Sequence, residues 1–138
     1  MNGQVFFDTN VLVYAALQPD ARSEAARGLL ARRGVTSVQV LNEFASVAHR
    51  KLRRPWPEIT RALAAIRVFC ATPRPITVAI HEAALAIAER SGYRIYDALI
   101  IAAALEAGCV TLFSEHLQDG QVIEGRLTIR NPFSRSGT

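Results

Sequence analysis

The segment 96–107 constrains the fold more than any other part of the sequence, because it predicts a helix with almost no polar face. From Leu99 to Leu105 every residue is leucine, isoleucine or alanine, and Gly108 closes the pattern. A helix that is apolar nearly all round is buried on all sides. We therefore expect this helix at the centre of the molecule.

Short apolar runs that alternate with helical patterns predict a parallel sheet. Strands are indicated at 5–7, 35–36, 76–78, 109–113 and 127–129. Helical patterns occupy 21–33, 37–51, 58–70, 81–90 and 96–107. Such alternation is typical of an α/β fold with helices on both faces of the sheet.

The length and composition predict one globular domain. We expect residues 1–130 to form it and residues 131–138 to form a C-terminal tail. No apolar run is long enough to span a membrane, and no signal peptide is apparent. Cys70 and Cys109 lie in apolar surroundings, which predicts buried, reduced thiols and a cytoplasmic location.

Four acidic positions break the local patterns. Asp8 follows the strand 5–7 directly, and Glu43 lies at the margin of the apolar arc of helix 37–51. Asp97 opens the apolar helix, and an acidic cluster at 115–119 follows the strand 109–113. Taken alone, Asp8 and Asp97 fit helix capping as well as ligand binding. Taken together, the two polar strand ends open at one edge of the sheet, where ligands bind in such folds.

The chemistry that suits these acids is binding of a hard cation. Mg²⁺ prefers oxygen ligands and is usually held by one or two carboxylates plus substrate phosphate. It would offset repulsion between the acids and activate a water for attack on a phosphodiester. We then expect Asp8 to be the centre of the site, with helix capping left to Thr9 or Asn10. Zinc is not indicated, because the histidines and cysteines lack zinc-site spacing.

Several motifs in order resemble one family, the PIN domain, and more narrowly the VapC-type toxins of bacterial toxin–antitoxin pairs. The motifs are Asp8-Thr9-Asn10 after a buried strand, Asn42-Glu43-Phe44, Tyr96-Asp97-Ala98-Leu99-Ile100, Leu112-Phe113-Ser114-Glu115, Gln118-Asp119-Gly120-Gln121-Val122-Ile123 and Asn131-Pro132-Phe133. Each is weak alone, but their order and spacing cover essentially the whole chain.

The resemblance implies a three-layer α/β/α sandwich with a mostly parallel central sheet, usually in a homodimer. It also implies an endoribonuclease dependent on Mg²⁺ or Mn²⁺ and inhibited by a cognate antitoxin. Carried over by motif, Asp8, Glu43 and Asp97 would be the catalytic and metal-binding acids. Thr9, Asn10 and Ser114 would support them through hydrogen bonds.

The chain departs from the family at the fourth acid, because the family tends to have an aspartate where His116 stands. Histidine is a softer ligand that suits Mn²⁺ better than Mg²⁺. Either His116 or Asp119 completes the metal site, or the site keeps three acids and His116 faces solvent. A weakened site would make the chain a PIN-fold module that binds RNA or protein, which is the alternative to the nuclease.

The basic run 49–54 is a candidate RNA or partner contact, although cations at the end of a helix also complement its dipole. Its cations are Arg50, Lys51, Arg53 and Arg54, and arginine supplies fifteen of the sixteen basic residues behind the net charge of +4. For Trp56, between two prolines, we favour packing as a lid on the core over stacking on a base. Phosphotransfer domains are disfavoured, because they need a late lysine and none follows Lys51.

Overall fold

The computed structural model describes residues 3–70 and 72–133. The strands are β1 Val5–Phe7, β2 Thr111–Phe113, β3 Val122–Ile123 and β4 Leu127–Arg130. The helices are α1 Thr9–Ala16, α2 Ser23–Ala31, α3 Val38–Arg50, α4 Trp56–Phe69, α5 Val78–Ser91 and α6 Ile95–Glu106.

The strands form one sheet in the order β1-β2-β4-β3, with β1, β2 and β4 parallel and β3 antiparallel to β4. Six helices flank this sheet, and the predicted α/β sandwich with a mostly parallel sheet is confirmed. Since β1 lies beside β2, the carboxyl ends of both strands open at the same edge.

Helix α6 is as buried as its sequence predicts. Every residue from Ala98 to Leu105 is at most 8% exposed, and α6 packs against both α5 and α3. This continuous burial fixes the first turn of α6, which carries Asp97, relative to the sheet.

Helix α3 also forms where the periodicity predicts it. The Ser37 hydroxyl caps it by accepting from the backbone N–H of Val40 (3.3 Å). Val40, Phe44 and Ala48 are fully buried on the core side. Glu43 is half-buried beside Phe44, at the margin of the apolar arc as expected.

Two strand predictions are wrong and one strand was missed. Residues 76–78 form no strand, because the Thr77 hydroxyl accepts from the Ile80 N–H (3.1 Å) and so starts α5. Val35 makes only a single parallel bridge to Phe6. Strand β3 was missed because residues 117–125 are polar and turn-rich in sequence, and two strand residues at an edge carry no readable alternation.

The predicted tail at 131–138 lies partly outside the described residues, which end at Phe133. The Tyr14 ring meets Phe133 edge-on, with ring centroids 5.4 Å apart. None of the helices in the described part of the chain combines the length and apolar character needed to cross a membrane.

Candidate active site

Asp8 lies at the carboxyl end of β1, where the register of the sheet places it beside Ser114. Phe7 pairs with Phe113, and the Asp8 N–H donates to the Phe113 carbonyl (3.0 Å). The Ser114 hydroxyl donates to Asp8 Oδ2 (2.7 Å), and the Thr9 N–H donates to Oδ1 (2.6 Å). Both carboxylate oxygens are therefore held in place in a side chain that is only 1% exposed.

Asp8 is itself the N-cap of α1, with extended backbone angles and a side chain that accepts from the first helical N–H. The expectation that Thr9 or Asn10 would take over capping is therefore wrong. The Asp8 carboxylate can cap α1 and also belong to the acidic cluster, because one oxygen accepts from Thr9 and the other from Ser114.

Glu43 approaches the same place from α3. Its Oε1 accepts from the Thr9 hydroxyl (3.2 Å), and its Oε2 accepts from the Gln39 amide (3.0 Å). Gln39 lies one helical turn before Glu43, so the two side chains share a face of α3. Thr9 thus links the two acids, because its backbone N–H donates to Asp8 and its hydroxyl donates to Glu43.

Asp97 and His116 complete the cluster. Asp97 is the third residue of α6, and its Oδ1 lies 3.1 Å from Nε2 of His116. The other ring nitrogen, Nδ1, lies 3.5 Å from Asp8 Oδ2. The imidazole, with 42% of its side chain exposed, therefore stands between two of the three carboxylates.

Burial is the largest influence on the pKa values of two acids in the cluster. Burial raises the pKa of Asp8, and nearby Asp97 raises it further against the opposing effect of His116. Burial also raises the pKa of Glu43, to which Asp8 and Asp97 add. The hydrogen bond to Asp97 raises the pKa of His116. A cation among these groups would relieve the repulsion between the acids.

An open groove of about 580 Å³ reaches Glu43, Asp97 and His116 of the cluster, whereas the buried Asp8 is not among its lining residues. One wall is formed by α3, and the other by the start of α6 together with His116. The lining residues are Gln39, Asn42, Glu43, Ser46, Val47, Arg50, Arg94, Tyr96, Asp97 and His116.

The donor set fits a divalent ion that keeps water ligands. Among residues 3–70 and 72–133, no three histidine, cysteine, aspartate or glutamate side chains stand ready to enclose a metal ion. Mg²⁺ rarely needs such an enclosure, because it binds through one or two carboxylates plus waters and phosphate. Carboxylate oxygens, raised acid pKa values and an open groove are consistent with that mode of binding.

The structure does not bring every candidate to this cluster. Asp119 Oδ1 accepts from the Asn131 N–H (2.9 Å) and lies outside the groove. Asn10 is half-buried in α1 and makes no side-chain hydrogen bond within the described ranges.

The four cations of the basic run are also separated. Arg50 lines the groove, whereas Lys51 and Arg53 are exposed beyond the end of α3. Arg54 pairs with Glu58 and donates to the Leu17 carbonyl (2.9 Å), so it supports the fold.

Trp56 does not act as a core lid, which corrects the sequence expectation. Its side chain is 55% exposed, and its ring stacks on His49 with centroids 4.0 Å apart.

A polar network behind the site escaped the sequence analysis. The Tyr14 hydroxyl donates to Glu115 Oε1 (2.8 Å), and Arg22 lies over the Tyr14 ring (4.2 Å) while pairing with Glu115 and Asp20. This network ties the turn that bears Ser114 and His116 to α1. The only sequence signal for it is that Glu115 lies between two candidate site residues.

The model of the PIN domain family matches residues 5–116 of the chain. Comparison with curated protein sequences finds no match.

Several solved structures share the fold. The sarcin-ricin-loop-cleaving toxin VapC20 of Mycobacterium tuberculosis is 25% identical, with a TM-score of 0.67 over 80% of this chain and 88% of that one. A toxin–antitoxin complex from Klebsiella pneumoniae is 21% identical, with a TM-score of 0.70, and the match covers 94% of this chain and 98% of that one. VapBC2 of Rickettsia felis, bound to a promoter DNA fragment, is 19% identical, with a TM-score of 0.65, and the match covers 92% of this chain and 97% of that one.

Proposed function

The chain belongs to the PIN domain family, as its motifs predicted, and from this premise we propose that it is a metal-dependent endoribonuclease and the toxin of a toxin–antitoxin pair. The observation that carries the proposal is the buried Asp8 carboxylate, whose pKa is raised while Glu43 and Asp97 lie close to it. Burial is the main cause of the raised pKa, and a fold keeps a buried carboxylate of this kind where a functional partner such as a cation offsets its desolvation.

Asp8, Glu43 and Asp97 are the residues that would hold Mg²⁺ or Mn²⁺. When bound, the ion would activate a water molecule and stabilise charge on the leaving oxygen of an RNA phosphodiester. Ser114 and Thr9 fix the Asp8 oxygens, and Gln39 fixes Glu43. These contacts pre-orient the acids, so less reorganisation is needed when substrate arrives.

His116 is proposed as a fourth member of the site, because its ring contacts both Asp8 and Asp97. An imidazole nitrogen is a better ligand for Mn²⁺ than for Mg²⁺. We therefore expect Mn²⁺ to support the reaction at lower concentration than Mg²⁺.

An antitoxin partner, an RNA substrate and a homodimer belong to the same proposal. The support is the similarity to VapC20, a sarcin-ricin-loop-cleaving toxin, and to a toxin–antitoxin complex that matches nearly the whole chain.

The proposal is tested by incubating the purified protein with cellular RNA and Mg²⁺ or Mn²⁺, with EDTA as the blank. We expect Asp8→Asn and Asp97→Asn each to lower cleavage by about 100-fold or more, since each loses a metal-binding carboxylate. Glu82→Gln is the matched control, because Glu82 is an exposed acid on α5 outside the groove.

Undiminished cleavage by both site variants, or by the wild type in EDTA, would contradict the proposal. The toxin role is checked separately, by growth arrest on induction and its rescue by the product of a reading frame directly upstream.

A second candidate function is a PIN-fold module that binds RNA or protein through a weakened site. The position of the His116 ring between two acids favours it, because the imidazole contacts both Asp8 and Asp97 and so occupies carboxylate oxygens that would otherwise be open to a metal ion. Retained RNA binding without cleavage at any metal concentration would decide for this module.

A further inference from the structure

Tyr96 presents an exposed aromatic ring at the edge of the proposed catalytic groove. Its side chain is 52% exposed, it lines the groove, and it directly precedes Asp97 in the first turn of α6. Its hydroxyl makes no hydrogen bond to the described residues. Exposing most of a large ring has an unfavourable free energy, and the core packing of the fold does not require it.

The position of this ring is set by a rigid element. Directly after Asp97, α6 is buried without interruption from Ala98 to Leu105. The backbone that carries Tyr96 therefore cannot move away from Asp97 without disturbing the core. The core therefore fixes the backbone position from which the Tyr96 ring projects beside the acidic cluster.

Two arginines face the groove from opposite walls. Arg50 lies on α3 and Arg94 lies just before α6, and both are exposed. Neither forms a salt bridge with an acid in the part of the chain that the structure describes. By contrast, Arg22, Arg54 and Arg90 are each paired with an acid.

We propose that the groove binds an unpaired RNA nucleotide, whose base stacks on Tyr96 while Arg50 and Arg94 bind the phosphates on either side of the acidic cluster. This inference rests on the proposed nuclease function and adds the residues beside the acids that hold the nucleotide.

The chemistry of the groove favours a single strand over a duplex. An aromatic ring stacks on the face of a base, and in a duplex both faces are covered by neighbouring bases. Arginine on each wall suits a backbone that crosses the groove, with one phosphate left between them over the acids. An acidic protein segment would match the arginines but would leave the Tyr96 ring without a planar partner.

The stacking contact is tested with a short single-stranded RNA that carries a fluorescent purine analogue. Binding is followed by fluorescence anisotropy in an Asp8→Asn background, so that the RNA stays intact. We expect Tyr96→Ala to weaken binding by about 5- to 100-fold and to abolish quenching of the purine analogue. Tyr96→Phe keeps the ring and is expected to bind within about twofold of the parent.

The phosphate contacts are tested through the salt dependence of the same binding. Arg50→Ala and Arg94→Ala are each expected to reduce the slope of log Kd against log salt by about 0.7, the value for one phosphate contact on a single strand. Arg67→Ala is the matched control, because Arg67 is exposed on α4 outside the groove, and its slope should stay unchanged. A perfectly paired hairpin stem should bind equally well with and without Tyr96.

The outcomes separate this inference from the function on which it rests. If the wild type cleaves RNA but Tyr96→Ala binds and quenches like the parent, the inference is overturned and the nuclease proposal stands. If the groove variants keep RNA binding but lose binding to the antitoxin, the groove belongs to a protein partner and the inference is again overturned. If the wild type cleaves no RNA, the nuclease proposal falls, and the effect of Tyr96→Ala on RNA binding then decides the inference by itself.

Discussion

At the scale of single residues, the site depends on side chains that serve two neighbours. Asp8 caps α1 and accepts from Ser114, while Thr9 contacts Asp8 through its backbone and Glu43 through its hydroxyl. His116 contacts Asp8 with one ring nitrogen and Asp97 with the other. A change at any of these positions alters two contacts at once, so its effects will not add simply with those of its neighbours.

His116→Asp is the most informative change at this scale. It replaces a partner of Asp8 and Asp97 by a third negative charge, so we expect the metal-free protein to lose about 1–3 kcal/mol of stability. Mg²⁺ should then bind more tightly and raise the melting temperature more than it does in the wild type. Thermal melts with and without Mg²⁺ measure both effects.

His116→Asn is the matched control for that change, because it removes the imidazole without adding charge and has nearly the shape of aspartate. Equal Mg²⁺-induced shifts in the two variants would contradict a role for this position in metal binding.

At the scale of elements, the acids reach one place because of how β1 and α6 are fixed. The register of β1 and β2 aligns Phe7 with Phe113, and the turns that follow them therefore start side by side. Close packing around β1 preserves this alignment. Gly34 lies against that strand, where an added Cβ would stand 2.6 Å from Phe7 Cε2 and 2.9 Å from the Val5 carbonyl oxygen.

Gly34→Ala is therefore expected to lower the free energy of unfolding by about 1–3 kcal/mol, because a buried ring and a backbone carbonyl both have to shift. Gly28→Ala is the matched control, since Gly28 lies exposed within α2 with open space at its Cβ. That change should raise stability by up to about 1 kcal/mol. Urea unfolding measures the change in the free energy of unfolding for each variant. Changes of the same sign in both variants would contradict the packing of β1 described above.

The network of Tyr14, Arg22 and Glu115 acts at the same scale. It connects the turn after β2 to α1 and to the start of α2, so three elements meet behind the acids. Burial, and after it the hydrogen bond to Glu115, raise the pKa of Tyr14 to about 12, so its hydroxyl stays protonated and donating throughout the neutral range.

At the scale of the whole molecule, the two cysteines report on opening of the core. Cys70 and Cys109 are 1% and 3% exposed, and burial raises the pKa of each thiol to about 11. The thiolate is the reactive form, and a raised pKa keeps the thiols protonated as the pH rises through 8 and 9. Labelling in the folded protein therefore requires unfolding.

We expect iodoacetamide at pH 8 to label neither cysteine in the folded protein within the time that labels both in guanidinium chloride. Mass spectrometry counts the labels. A divalent ion that binds only the folded state should slow labelling further, which gives a measure of metal binding independent of cleavage. Labelling of the native protein at the rate of the unfolded chain would contradict the buried placement of both thiols.

The sequence predicts most of the helices and the meeting of the two strand ends, but it does not predict contacts between segments that are distant in the chain. The all-apolar stretch of α6 and the apolar arc of α3 identify both helices, because each pattern has only one way to be buried. That Asp8 and the turn after Phe113 meet follows from parallel pairing. The orientation of the His116 ring and the bond from Asn131 to Asp119 depend on where distant segments lie, and no local pattern records them.

The bond between Ser114 and Asp8 spans 106 positions of the chain, and this separation sets when the site can exist. Asp8 leaves the ribosome early, whereas Ser114 is added roughly 5–20 seconds later at about 5–20 residues per second. Strand β4, which pairs with β2, follows Ser114 in the chain. A nascent chain that has not yet reached Ser114 and β4 therefore lacks the contacts that hold the Asp8 carboxylate in place.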